Sequence, residues 1–384
     1  MVFSYLLRGI DLPTIGLSIG LFFLVNIMLI QGAIALATAP LTIVFKILVA
    51  LFLGIPAIIM AISFCIAGGV YEISGMLGRL DFWKEFMPVV GMFIMDCALF
   101  TGLMYQAAVA FVTPTSANRS LPFRRYFTLM WLLLGIQFAI WGWVISEDEV
   151  ILVFLFGTAA LVFLGMFIGI GGRDDLSTRI RKQIPESIAS RLFAFCFYNG
   201  TFSCLLWLMG IWAGSVFIFG IYNYFWSLYQ TRSFFSGDLG LIYLGTSLFI
   251  LYAFAYALFS IWLQRRWLSR ITPKLACLFF FVLTVIPYIL IQIVSLIVTQ
   301  DSIDSDIPLP GVILDLFNIF DRYSRFGDHL YYHLAAVLVM IGFGLLLNLK
   351  WIQSQITQFT PFTKPTTMPP PSQPEPHVGE PPPV

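Results

Sequence analysis

Two ionisable side chains stand inside long apolar runs, Lys46 within Leu41 to Ala67 and Asp96 within Pro88 to Val112. A charge held in hydrocarbon is costly, so such residues mark ion paths, proton relays or polar contacts between helices. Lys46 lies near the start of its run, where its four-carbon stem can carry the ammonium to a headgroup boundary. Asp96 lies deeper, beside Cys97. A carboxyl group at that depth must be neutral, paired with a cation, or turned toward water. Two uses compete for it: a place in a transport path, or a hydrogen bond to Gln106, Gln137 or Asn199 on a neighbouring helix.

The other chemical signals are thinner. His329 and His333 are one helical turn apart and follow Asp328, a spacing that can hold a metal. They supply at most three ligands, lack the Glu of the helical zinc-protease motif, and sit at the edge of an apolar run where histidine is ordinary. Gly169, Gly171 and Gly172 precede Arg173, but they close an apolar run instead of following a strand, so no phosphate-binding loop is expected. No Ser, His and Asp set, no Cys and His pair and no carboxylate dyad stands at catalytic spacing. The residues point to no enzyme, no catalytic group and no cofactor.

The elements that must position Asp96 and Lys46 follow from composition. The 384-residue chain is 59% hydrophobic and only 11% charged, and its mean hydropathy is +0.90. A soluble fold needs far more polar surface than this. The net charge of +1 excludes a nucleic-acid binder, which needs a basic face to collect phosphates. All five cysteines fall in apolar stretches, where they act as small hydrophobes and are poor candidates for structural disulfides.

A helix needs about 20 apolar residues to cross a bilayer core. Nine stretches qualify: Ile15 to Ala37, Leu41 to Ala67, Pro88 to Val112, Tyr126 to Val144, Val150 to Ile170, Leu192 to Ala213, Leu241 to Trp262, Leu275 to Val298 and Leu330 to Leu349. The expected fold is therefore all-α, a polytopic transmembrane helix bundle of about nine spans (eight to ten) over residues 1–359, with an uncleaved first helix. The stretch Leu192 to Tyr229 is almost twice the length of one crossing. It reads as one span followed by an interfacial stretch, because Tyr222, Tyr224, Trp226 and Tyr229 favour the headgroup boundary. Gly311 to Phe326 reads as a second interfacial helix. The pairs Gly16 and Gly20, and Gly165 and Gly169, have the spacing that lets helices approach closely. Residues 360–384 contain ten prolines and little that could be buried, which predicts a disordered, proline-rich tail.

Basic residues concentrate in alternate loops: Arg119, Arg124 and Arg125; Arg173, Arg179, Arg181, Lys182 and Arg191; Arg265, Arg266, Arg270 and Lys274. The intervening loops carry Glu147, Asp148 and Glu149, a lone Arg232, and the acidic set Asp301, Asp304, Asp306, Asp315, Asp321 and Asp328. Because Lys and Arg are retained on the cytoplasmic side, the C-terminus is expected to be cytoplasmic.

Two stretches carry a family resemblance. Pro114-Thr115-Ser116-Ala117-Asn118-Arg119-Ser120-Leu121-Pro122, followed by Arg124, Arg125 and Tyr126, comes directly after an apolar run. Asp175-Leu176-Ser177, with Arg179, Arg181, Ile184-Pro185 and Leu192 to Gly200, forms the second. Both resemble segments of bacterial membrane proteins related to the permease subunits of exporter-type ATP-binding-cassette (ABC) transporters. The resemblance implies a bacterial inner-membrane protein that supplies a membrane path or regulates one. A separate ABC ATPase subunit would be its partner, docking on Arg119, Arg124, Arg125, Arg179, Arg181, Lys182, Arg265 and Arg266. Two other readings stay open: a structural or scaffolding subunit of a larger homo- or hetero-oligomeric complex whose tail recruits soluble partners, and an ion-coupled carrier using Asp96.

Overall fold

The computed structural model describes residues 12–39, 80–114, 117–145, 149–171, 176–230, 237–267, 276–284, 286, 289, 293 and 323–361. All regular structure among them is α-helical. The helices are α1 (Leu12–Thr38), α2 (Leu80–Val112), α3 (Ser120–Ile145), α4 (Glu149–Ile170), α5 (Thr178–Arg181), α6 (Ile188–Phe195), α7 (Thr201–Gln230), α8 (Gly237–Trp267) and α9 (Tyr323–Gln358). Residues 276–284 form a further helical segment. Pro114 stops α2, since a proline disfavours helix at the residue before it and cannot donate its own N–H. Pro122 is tolerated in the first turn of α3, where no intrahelical acceptor is waiting for that N–H.

Six helices among the described residues are long and apolar enough to cross a membrane: Ile19–Thr38, Val90–Val112, Ile151–Ile170, Thr201–Phe225, Ile242–Trp267 and Tyr331–Gln358. The expected stretch Tyr126 to Val144 lies within α3, a 26-residue helix that begins with Arg124 and Arg125 in its second turn. Leu41 to Ala67, with Lys46, lies outside the described residues, as do most of Leu275 to Val298, Gly311 to Arg322 and the tail beyond residue 361.

Two boundaries differ from the sequence reading: α9 (Tyr323–Gln358) extends past both ends of the expected Leu330 to Leu349 and takes in the end of the expected interfacial helix Gly311 to Phe326, and the second lies before α7. The membrane helix expected from Leu192 begins at Thr201, and Leu192 belongs to the separate short helix α6. Gly200, at φ +151°, separates them in a conformation that L side chains rarely adopt. From Thr201 the helix runs unbroken for 30 residues to Gln230, so the stretch holds one crossing, and its detached flank precedes the span instead of following it. Tyr222, expected in an interface belt, is buried in the core, whereas Tyr224 is exposed.

The packing order is α1 on α2, α2 on α3, α3 on α4 and α7, α4 on α7 and α8, and α8 on α9. Within the α8 span 72% of residues are buried, against 11% for the α1 span, so α8 is central and α1 sits at the rim. The core is aliphatic and aromatic, including Met130, Trp131, Leu155, Met166, Leu205, Leu208, Tyr252 and Phe280. Close approach depends on particular glycines. A Cβ at Gly165 would meet Leu208 at 2.8 Å and one at Gly169 would meet Cys204 at 2.7 Å, so this pair sets the α4–α7 distance. Gly16 and Gly20 have open space around them and play no such part. Large apolar side chains such as Ile168, Phe217, Val339 and Leu346 point outward. Exposed apolar surface on this scale suits hydrocarbon as the surrounding medium.

Candidate functional site

The first turn of any helix has N–H groups without intrahelical partners, and the last turn has carbonyls in the same state. Helix α3 and the segment formed by α6 and its link to α7 solve this for one another. The Ser120 N–H, opening α3, donates to Asn199 Oδ1 at 3.1 Å, and Asn199 Nδ2 donates to the Ala117 carbonyl at 3.3 Å. Ser120 Oγ donates to Asn118 Oδ1 at 3.1 Å and to the Phe197 carbonyl at 3.2 Å. In return, Arg124 reaches from the second turn of α3 to the C-terminal end of α6. Its Nη1 donates to the carbonyls of Cys196, the C-cap residue, at 2.7 Å and of Tyr198 at 2.8 Å, and to Ser203 Oγ at 3.2 Å. A cation at a helix C-terminus is favoured by the helix dipole and by those free carbonyls. The guanidinium also lies over the Trp207 ring, 5.5 Å from its centroid, a cation–π contact. Trp207 in turn donates from Nε1 to Thr128 Oγ1 at 3.0 Å.

The two stretches that carry the family resemblance are therefore joined across 70 to 80 residues of sequence at one end of the bundle. A small cluster of Ile180, Ile184, Tyr198 and Phe359 lies beside this junction, with Leu121 and Phe195 against it. Phe359 meets Phe195 and Tyr198 edge-on at 5.2 and 5.1 Å, which brings the end of α9 to the same place. Tyr198 donates its hydroxyl to the Gln183 carbonyl at 2.6 Å. Burial pushes the Tyr198 pKa up, and the Arg125 charge opposes part of that rise. The end of α8 joins through Arg265, which lies 4.7 Å over Trp351, and Trp351 packs edge-on against Phe202. The three basic segments expected to share a side thus share one end of the bundle.

They do not all present their charge there. Arg125, Arg179, Lys182, Arg265 and Arg266 are exposed, and Arg119 and Arg181 are half-buried. Arg124 is only 6% exposed. Expected as a partner contact, it is instead an internal cap, because its acceptors lie inside the α3–α6–α7 junction. Arg173, Arg270 and Lys274 lie outside the described residues.

Asp96 and Gln137 form a polar pair between α2 and α3. Gln137, on α3, is the residue beside Asp96 on α2 and is 5% exposed. Of the three partners expected for Asp96, Asn199 is engaged at the basic end instead and Gln106 is half-buried elsewhere on α2. The Asp96 Oδ1 atom and both polar atoms of the Gln137 amide are buried without a hydrogen-bond partner among the described residues. A carboxyl group and an amide side by side, with acceptors and donors to spare, can hold a proton or a small polar ligand.

His333 is fully buried, with Nδ1 3.3 Å from the Tyr252 hydroxyl, which also lies 3.3 Å from the His333 carbonyl. The contact joins α9 to α8. The side chain of His329 lies outside the described residues, and no cluster of three metal-ligating side chains occurs among those described.

Sequence reasoning missed three participants: Asn199 as the cap of α3, Trp207 as the platform for Arg124, and Phe359 as the residue that fastens the end of α9. Asn199-Gly200-Thr201 had a readable signal, since an Asn-Gly step before an apolar run marks a helix boundary. Trp207 and Phe359 had none, because nothing in one sequence distinguishes an aromatic ring under a cation from one in lipid. Compared with known proteins, the chain matches no family model, no curated protein and no solved structure.

Proposed function

We propose that the chain is the permease-like membrane component of an ABC-type export system in a bacterial inner membrane, and that a separate ATPase docks on its basic end. The observation that carries this reading is the junction itself. Both resembling stretches meet there, and Arg125, Arg179, Lys182, Arg265 and Arg266 stand exposed around them. Opposite charge on a soluble partner would steer encounter to this end and fix its orientation. The reciprocal caps between α3 and α6 would pass a push on the loops to α3 and α7 together, since a rigid junction moves as a unit. The basic end, with the C-terminal segment leaving from it, faces the cytoplasm in this scheme.

Affinity purification of the full chain from membranes solubilised in mild detergents is the direct test. Recovery of an ATPase that is lost when Arg179, Lys182 and Arg266 are changed to Glu supports the proposal. Recovery of no ATPase in several detergents refutes it.

A second reading is a structural subunit of a larger membrane complex. The aromatic interior favours it, with buried hydroxyls such as Ser215 and Ser260 bonded to their own helix backbone. Deleting residues Thr360 to Val384 separates the readings. Loss of complex assembly with an intact membrane region favours the scaffold. A carrier role for Asp96 is a third reading, and Asp96→Asn must abolish transport without loss of protein if it holds.

A further inference from the structure

Helix α6 (Ile188–Phe195) has no buried residue, although six of its eight side chains are aliphatic or aromatic. Ile188 is 75% exposed, Leu192 69% and Phe193 73%. At 100° per residue these three fall on one side of the helix with Ala189 between them, while Arg191, Ala194 and Phe195 form the half-buried inward side. The inward side is fastened: Phe195 packs on Phe202 and Phe359, and Arg191 donates from Nη2 to the Glu186 carbonyl at 2.8 Å. The outward apolar stripe is therefore held in place by the fold and is not a loose loop.

Its level in the bundle is set by its ends. The α6 C-terminus is capped by Arg124 of α3, and five residues later α7 enters its span. The stripe therefore lies where the apolar belt of the bundle stops. Its surroundings are cationic. Residues 173–200 contain Arg173, Arg179, Arg181, Lys182 and Arg191 against Asp174, Asp175 and Glu186, an excess of two positive charges. Two buried donors at this end, Asn118 Nδ2 and Arg181 Nε, also have no acceptor among the described residues.

We propose that α6 is a membrane-interface anchor: Ile188, Leu192 and Phe193 enter the acyl boundary, and the flanking cations bind the phosphates of anionic phospholipids. The chemistry is that of an interfacial amphipathic helix, which needs an apolar face for the acyl region and Lys or Arg for the headgroups. A second polypeptide is disfavoured because the stripe is short and stands directly before the apolar α7 span. The assignment does not depend on an ATPase partner. By holding α6 at the surface, lipid would fix the position of the junction that Arg124 and Asn199 build.

The test uses the full chain in lipid nanodiscs of phosphatidylcholine with or without phosphatidylglycerol. A nitroxide placed at Phe193→Cys, with the native cysteines replaced, should collide more with oxygen than with a water-soluble nickel chelate, whereas one at Gln183→Cys should show the reverse. Photoactivatable phosphatidylglycerol should cross-link to the 188–193 segment of the unaltered protein in preference to phosphatidylcholine. Arg179→Gln and Lys182→Gln should each lower that preference roughly fivefold at low salt, the factor expected for one interfacial charge. A nitroxide at 193 open to the nickel chelate overturns the proposal, and so does one shielded from both agents, which would place a protein over α6. Equal cross-linking of the two lipids removes the anionic-lipid assignment. The cross-linking arm needs no substitution, so a misfolded variant does not protect the proposal.

Discussion

Replacing Arg124 tests the central junction. Arg124→Met keeps the unbranched stem and removes the guanidinium. Of its three acceptors, the Tyr198 carbonyl still accepts from Ser203 Oγ at 2.7 Å, and Ser203 keeps that bond. The Cys196 carbonyl, bonded at 2.7 Å, is the group left without its side-chain donor at the α6 C-terminus. A hydrogen bond from a charged donor contributes about 1.5–3 kcal/mol, and the loss of the stack on Trp207 adds about 0.5–1 kcal/mol. Relief from burying a cation offsets part of this, which leaves an expected loss of roughly 2–3 kcal/mol. Arg124→Lys keeps the charge but not the planar fork that reaches several acceptors, so it should fall between Arg and Met. Unfolding in mixed micelles, followed by tryptophan fluorescence, gives the order, and amide exchange should rise first over residues 188–200. If Arg124→Met shifts stability by less than about 0.5 kcal/mol, the surface range of substitutions, the cap is not what holds the junction. A Lys variant weaker than Met would equally refute the reasoning.

The other expectations concern separate elements. Gly169→Leu should destabilise the bundle by about 1–3 kcal/mol through overpacking on Cys204, whereas Gly16→Leu on α1 should be silent in the same unfolding assay. Gln137→Leu should leave stability unchanged or raise it by about 1 kcal/mol, because it removes a buried amide that lacks partners. A clear loss of stability would show that the amide is engaged, by the neighbouring Asp96 or by a ligand. Phe359→Ala should speed proteolysis after α9 while the membrane core stays folded, since its contacts are to Phe195 and Tyr198 at the bundle end. The raised Tyr198 pKa means the folded state holds this proton more tightly than the unfolded chain. Its contribution is complete below the ordinary tyrosine value of about 10 and is lost as pH rises through the folded value. Protection of the Gln183 region should accordingly fall only under alkaline conditions, and not in Tyr198→Phe. Impermeant labelling should place cysteines at Arg179, Lys182 and Arg266 on one side of the membrane and one at Glu147 on the other.

The sequence alone determined the helical class, the membrane as solvent and the grouping of Arg119–Arg125, Arg179–Arg191 and Arg265–Arg266 at one end. Each follows from periodic or local properties, such as twenty apolar residues in a row or cations between such runs, that do not depend on which helix meets which. Tertiary structure decided what individual residues do. Arg124 and Arg125 are adjacent and chemically identical, yet one is an internal cap and the other is exposed, because 100° of helix rotation turns the first toward the carbonyls of Cys196 and Tyr198. Gly165 and Gly16 likewise share a motif and differ in use, since a neighbouring side chain comes close enough to need the missing Cβ at Gly165 and none does at Gly16. The break at Gly200, which moves the start of α7 and separates α6 from it, stands beside Phe197 and Asn199, which bond to Ser120 at 77 and 79 positions' separation.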